Sequence, residues 1–468
     1  MSEKVTEFLN LLERVDPESP PIVKVEIFNF IRSFFSESGE DVSLIEKVCA
    51  KLSITRGTFD LWLESPELIY GIENLHRYLK PNSWLRHYLD YTSGHEAPEE
   101  FHLWVGMTIL GSILRRKVWF DNVYYRLFPN LYTVLISPPA VCKKSTCIDI
   151  GIRLLRAAVS DIAIVSEKIT PEAIFVALAK PKAEKKPDSD GTIIRTNAHG
   201  LFNAPELTVF LGRESYNEGL IILLTRLYDC PDVIEYSTRV KGTLHLKDVF
   251  VSLLGATTPS EIAKAIPESA TGGGFISRVT FISRDVPTRM FAFPSMSDPT
   301  LRELLVARLT EISAHFAGGF VLGSEAQEWY KKFYKEHKEN LSKKSAAAER
   351  QPDLLLKVAM ILCASEDIGL DITVDVLKRA QKIVLSVEKG VEGTLKMISA
   401  SERGRSTELV IAVIKKNGGT IKHSTLQKKV YGKLNRNDLL LCLDTLRDAE
   451  IIEKCKGEGG SYYKLVKE

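Results

Sequence analysis

Apolar residues recur at helical spacing through the first 80 or so residues, in FLNLLERV and IFNFIRSFF, with breaks at Pro17, Pro20, Pro21 and the Ser-Gly run near 36–39. The pattern predicts a small helical N-terminal domain over 1–80. Pro81-Asn82-Ser83 supplies a break and an N-cap, after which SWLRHYLDYTSG and PEEFHLWVGMTILGSILRRKVWF read as two further helices. The longest apolar stretch, around Trp104 to Leu114, is too short to span a bilayer and reads as a core helix, so no membrane association is expected.

From about 117 to 290 the period changes. LYTVLI, DIAIV, GTIIR, GLFNA, DVFVSLLGAT and RVTFI are short β-branched runs alternating with helical patterns, which predicts a mainly parallel sheet covered on both faces, an α/β fold. Lys180 to Ser189 (KPKAEKKPDS) reads as an exposed loop. Beyond Pro294 long helical patterns resume in AQEWYKKFYKEHKENL, RQPDLLLKVAMILCA and VDVLKRAQKIVLSV, and SASERGRS at 399–406 suggests a linker. The expected division is thus 1–80, a core with its leading helices over 83–295, a helical segment closing that core over 296–398, and a C-terminal unit over 407–468. In that last unit, TELVIAVIKKN stops at Gly418-Gly419, TLQKKVYG and NRNDLLLCLDTLRDAE give two more helices, and IIEKCK and SYYKLV form a hairpin. Three helices and a hairpin make a winged-helix arrangement.

Composition adds little to this until it is divided along the chain. The 468 residues are 44% hydrophobic and 26% charged with a net charge of +2, an ordinary globular balance without a dominating basic field. Segment 396–468, however, carries 15 Lys/Arg against 9 Asp/Glu, a local +6, which leaves about −4 for the remainder. Lys428, Lys429, Lys433 and Arg436 cluster around the second helix and the start of the third, where a helix-turn-helix meets DNA, and Tyr462 and Tyr463 lie on the wing. The third helix is so apolar that its body is expected inside, leaving Asn435, Arg436 and Asn437 to reach bases. A protein partner is the alternative for this unit. The seven cysteines lack CxxC spacing, the N-terminus lacks a secretory pattern, and a reducing cytoplasm is expected. The nine histidines show no metal spacing, and His199 and His245 read as structural.

The chemistry concentrates in LYTVLI-SPPAVCKK-ST-CIDIGIRLL, a buried strand, a tight loop and a helix start. Backbone amides and a helix N-terminus at such a loop face an anion, Lys144 neutralises charge and Ser145 ligates Mg²⁺, so Ser137, Pro138, Pro139, Ala140, Val141, Cys142, Lys143, Lys144, Ser145 and Thr146 are the candidate ATP-binding residues. Ser137 and Cys142 stand where the usual phosphate loop has glycines, which restricts positive φ; a plain strand–turn–helix with two surface lysines is the bland alternative. SPPAVCKKST resembles the GPP-x-x-x-x-KST loop of the P-loop ATPase domain in phage and plasmid replication proteins, relatives of RecA-like hexameric helicases often joined to primases. The resemblance covers about residues 83–395.

That resemblance implies a RecA-like core and roles for further residues. Glu206 in HGLFNAPELTVFLG stands where similar proteins carry the carboxylate that polarises water and helps place Mg²⁺; read alone, it also fits a helix cap. Thr257, at the end of DVFVSLLGAT, is on family grounds a γ-phosphate sensor, and equally a cap for a helix opening at Pro259. GGGFISRVTFI resembles the family's G-F-x-S-R motif, in which Arg278 would act across a subunit boundary, with Arg284 and Arg289 as alternatives. The resemblance further implies a homo-oligomeric ring, of six subunits in the family, able to thread single-stranded DNA; Lys180, Lys182, Lys185 and Lys186, on a basic loop that needs no base-specific fit, are candidates to meet that strand, with a solvated charge run as the alternative, and the basic winged helix is the candidate for duplex DNA. It implies a replication helicase, with an origin-binding module on a degenerate, non-hydrolysing P-loop fold as the alternative. No primase signature is visible, so a separate primase is a possible partner.

Overall fold

The computed structural model describes residues 75–466 except for 167–168, 180–192, 196, 213–217, 239–241, 267–273, 285–290, 292, 294–297, 299, 340–348, 388–403, 405, 408, 433 and 458–459, with residues 193–195 assigned as strand within this set. Nearly all of the expected N-terminal domain, the four lysines of the 180–189 loop, Arg289, Lys433 and most of the 399–406 linker lie outside the described residues.

Helix α1 (Trp84–Tyr91) begins behind Ser83, whose hydroxyl accepts from the Arg86 amide at 3.2 Å. In α2 (Glu99–Leu114) every residue from Glu100 onward is buried, the condition an all-round apolar helix demands. The central sheet contains β1 (Tyr132–Ile136), β2 (Ala163–Ser166), β3 (His199–Ala204), β4 (Phe250–Thr257) and β5 (Val279–Ser283), in the order β5-β1-β4-β3-β2 with every pair parallel. Strands β1, β3 and β4 are buried at every position, as parallel strands covered on both faces must be.

The pleat divides two apolar cores between those faces. Leu135, Leu201, Leu254 and Ile282 enter one core with α1, α2, α3 (Lys144–Ala158), α4 (Thr300–His315), α5 (Gln351–Glu366) and α6 (Val374–Ser386). Val134, Phe202, Leu253 and Phe281 enter the other, beneath helices Pro171–Ala179, Leu207–Leu211, Glu218–Tyr228 and Pro259–Ala265. Layering is therefore helix, sheet, helix, a mixed α/β architecture.

Two expectations need correction. GTIIR is a strand, but its residues Ile193–Arg195 pair with Gly242–Lys247 in a separate sheet, because that strand and its antiparallel partner Val233–Thr238 supply the ladder it joins, while β2 is the last strand on that side of the central sheet. The segment after 296 is not purely helical either: Gly318–Leu322 and Asp371–Ile372 extend a small sheet built on Val118–Asp121 and Arg126–Leu127. At the C-terminus, helical residues 409–416, strand Thr420–Lys422, α7 (His423–Val430), α8 (Arg436–Asp448) and strands Ile452–Gly457 and Gly460–Leu465 enclose a core of their own around Val410, Leu426, Leu443 and Tyr463. The three strands form an antiparallel sheet. Among the described residues no helix is long and apolar enough to cross a membrane.

Candidate functional site

In an open parallel sheet, ligands collect outside the carboxyl ends of the strands where the chain switches direction. Here the switch is β1: the chain leaves it for β2 at the far edge and returns on its other side as β5. Residues 137–143 follow β1 at that point and lead into α3. The loop is joined to both neighbours, through Ser137 N to the Thr257 carbonyl at 3.4 Å and through Arg284 N to the Ile136 carbonyl at 2.9 Å.

Within the loop Ala140 (φ 60°) and Lys143 (φ 44°) both adopt the left-handed conformation, a strain of roughly 1–2 kcal/mol per non-glycine residue. The chain thus reaches positive φ at two positions without glycine, whereas Ser137 and Cys142, the positions flagged in the sequence, are buried and not left-handed. Lys143 is the N-cap of α3 with no side-chain cap hydrogen bond, and the first turn holds no acidic residue. Exposed Ser145 and Thr146 follow. An uncapped N-terminus presents amide protons and the positive end of the helix dipole.

Lys144 is half-buried rather than a solvated surface lysine. Its ammonium donates to the Ser137 carbonyl at 2.7 Å, to Ser137 Oγ at 2.8 Å and to the Pro138 carbonyl at 3.2 Å, so all three protons are spent on the loop. Burial holds its pKa below the usual lysine value, against the pull of Cys142 and of Glu261 on the Pro259–Ala265 helix. Glu261, absent from the sequence reading, is thereby placed near the loop; nothing in its local sequence marks it, because a glutamate in a first helical turn is commonplace.

The other expected residues occupy defined places. Glu206 is exposed two residues beyond β3 and opens the Leu207–Leu211 helix, making no side-chain cap hydrogen bond. Since Ala204 pairs with Gly255, Glu206 leaves the sheet level with Thr257. Thr257 is buried at the tip of β4, and Thr258, N-cap of the next helix with Pro259 in its first turn, makes no side-chain cap hydrogen bond. Upstream, Asn203 is buried and its Oδ1 has no hydrogen-bond partner. Lys144, Glu206 and Thr257 thus share one edge of the sheet.

Arg278 does not share it. It precedes β5, at the amino ends of the strands, and lies opposite the loop by the full length of the sheet. Its guanidinium donates to both Asp229 oxygens, at 2.8 and 3.3 Å, and to the Gly274 carbonyl at 2.9 Å. Gly274 is left-handed (φ 78°), and a Cβ there would stand 2.8 Å from Arg278 Nη1, which would have to shift. Arg350 also approaches Asp229, at 3.7 Å. Arg284, by contrast, follows β5 at the loop's edge and pairs with buried Glu100 on α2.

In the C-terminal unit Lys428, Lys429 and Arg436 are exposed, and Tyr462 is half-buried, level with Cys455 and Lys422. Tyr463, expected on the wing, is a core residue because its side chain points to the opposite face from Tyr462. The body of α8 is not wholly inside: Leu440 and Leu441 are 40% and 50% exposed beside exposed Asp444. Asn435 caps α8 by accepting from Asp438 N at 2.9 Å. His199 packs edge-on against Phe250, and His245 faces Glu235 at 3.0 Å.

No family model matches the chain, and no curated protein matches it. Among solved structures, a full-length MCM homologue from Methanopyrus kandleri is similar at 15% identity and a TM-score of 0.39, over 70% of this chain and 62% of that one. The chain therefore spans under two thirds of that protein's length. A likeness this remote assigns no family, and the functional reading rests on the site itself.

Proposed function

We propose that the chain is a P-loop ATPase with a RecA-like core over 83–295 closed by 296–398, acting as a ring-forming DNA helicase or replication ATPase. The observation that carries this reading is the uncapped, acid-free start of α3 with Lys144 and Ser145, set where the parallel sheet switches direction. In it the α3 amides and Lys144 bind the triphosphate, Glu206 accepts a proton from the attacking water, and Thr257 orients that water from the adjoining strand tip. Mg²⁺, when bound, would neutralise charge on the phosphates. Among the described residues no three His, Cys, Asp or Glu converge on a metal-sized site, which fits an ion held chiefly by phosphate oxygens with Ser145 and Glu206. Residues 407–468 act as a winged helix that meets duplex DNA through Lys428, Lys429, Lys433, Arg436 and Tyr462, while single-stranded DNA passes the ring channel.

A second reading, a DNA-binding replication initiator whose nucleotide fold does not hydrolyse, is favoured by a specific observation. The Lys144 protons are all engaged within the loop, and two non-glycine residues there are left-handed. ATP turnover with and without single-stranded DNA separates the two: turnover stimulated by DNA supports the motor, and DNA binding without turnover supports the initiator. Calorimetry with Mg²⁺ and a non-hydrolysable ATP analogue tests the motor directly: absence of nucleotide uptake removes it and leaves only the scaffold with a DNA-facing C-terminal unit.

A further inference from the structure

Arg284 is fastened to the loop at both ends. Its amide donates to the carbonyl of Ile136, the last residue before the loop, and its carbonyl receives Cys142 Sγ at 3.9 Å near the loop's exit into α3. The guanidinium at this position is a permanent cation, and it is turned onto Glu100, buried in the first turn of α2. Arg284 Nε is buried without a hydrogen-bond partner. At the last residue of the loop, Lys143 approaches Glu96 at 3.7 Å, and Glu96 also accepts from the Phe291 amide at 3.2 Å. Two carboxylates, Glu96 just before α2 and Glu100 in its first turn, therefore face one cation in the loop and one beside it.

A structural staple would need no cation on this spot, since the backbone bonds of Arg284 already join β5 to the loop. An anion seated on the α3 amides would meet Arg284 from the same chain, unlike Arg278 at the opposite ends of the strands. From this juxtaposition we propose that Arg284 is a second phosphate-binding cation acting within its own subunit, and that Glu100 is the carboxylate that holds it when no polyphosphate is bound. The inference deepens the nucleotide reading and rests on it. Binding then exchanges one guanidinium–carboxylate contact for a guanidinium–phosphate contact, with no bond made or broken, and Glu100 opposes uptake by competing for the same cation.

The two side chains must then act in opposite directions on affinity. Titration of the full chain with a fluorescent ATP analogue and Mg²⁺ is expected to give Arg284→Ala a Kd raised roughly tenfold or more, as for loss of a charge-assisted contact. Arg284→Lys should recover part of this. Glu100→Gln, which keeps shape and removes charge, should lower Kd several-fold, and should do nothing once Arg284 is already alanine. If both variants weaken binding, or Glu100→Gln still acts in the Arg284→Ala background, the pair is only a staple and the proposal falls. Lys144→Ala serves as reference: parent binding that depends on Lys144 but not on Arg284 overturns this inference while leaving the nucleotide site in place, and no binding by the parent chain overturns both. Urea unfolding of each variant establishes that it is folded, and Glu100→Gln carries the decision if Arg284→Ala is not.

Discussion

At the scale of single residues, Lys144 serves two ends. Its ammonium ties Ser137 and Pro138 to the start of α3, so the loop is closed on itself, and the same group is the cation a phosphate would need. From the sequence, a lysine that contacts phosphate and not the core should be removable without harm to folding; the structure revises this. Lys144→Ala is expected to abolish ATP turnover and also to cost about 1–3 kcal/mol, the range for hydrogen bonds to a charged group, because three acceptors lose their donor. Rates and urea midpoints on the same preparations check both halves, and turnover equal to the parent's would take Lys144 out of the site. Glu100 gives a pH dependence. Burial raises its pKa above the ordinary glutamate value of 4.5, against the lowering by Arg284. Across the interval that opens at 4.5 and extends upward, the folded chain holds this proton more often than the unfolded chain does, so its contribution to stability falls as pH rises. Urea midpoints followed upward from pH 4.5 should therefore decline more steeply for the parent than for Glu100→Gln; parallel profiles would show that Glu100 does not titrate differently on folding.

Among the elements, α2 bears the closest packing. An added Cβ at Gly111 would stand 2.2 Å from the Pro129 carbonyl oxygen, a backbone atom just upstream of β1. Such an oxygen cannot step aside as a side-chain tip can, so Gly111→Ala is expected to lose at least about 1–3 kcal/mol, the usual cost of overpacking, despite alanine's better helix propensity. A urea midpoint unchanged or raised would mean that α2 can shift. Here the limits of the sequence are plain. Short apolar runs between helical patterns marked five strands that form the central sheet; four of them carry β-branched residues, and GLFNA is apolar without one. What they left open was which strands are neighbours: GTIIR reads like the others, yet pairs with Gly242–Lys247 elsewhere. Phosphate chemistry was visible at Lys144 and Ser145 because loop and helix start are contiguous in the chain. Glu100 and Arg284 come from segments 184 positions apart, counted from their numbers, and meet only through β5 and α2. Tyr463 and Leu441 went to the wrong side because a hairpin's register and a helix's rotation are set by partners that periodicity alone does not identify.

For the whole molecule, the decisive feature is the distance between Arg278 and the loop of its own chain. β5 pairs with β1 from Val279 opposite Tyr132 to Ser283 opposite Ile136, and five residues of strand span roughly 16 Å. An arginine at the amino end cannot reach a phosphate at the carboxyl end, so any catalytic use of Arg278 requires a second subunit whose loop faces it. Asp229 meanwhile holds the guanidinium, assisted by the Gly274 carbonyl, and the Arg278 side chain is only 11% exposed. If subunits sit side by side as proposed, Arg278→Ala should bind ATP as the parent does, within about twofold, yet fail to turn it over, because the charge it supplies matters only as the phosphoryl group departs. Glu206→Gln should be inactive for a different reason, the loss of the proton acceptor. Mixing the two restores an interface with both groups wherever an Arg278→Ala subunit contributes the loop and a Glu206→Gln subunit contributes the arginine. With random assembly at equal amounts this is about a quarter of all interfaces, and turnover should recover to a corresponding fraction. Recovery that peaks near equal mixing identifies a shared site. Inactivity at every ratio, with both variants shown to assemble and to bind ATP, would leave Arg278 as a structural partner of Asp229 and would confine the chemistry to groups on a single chain.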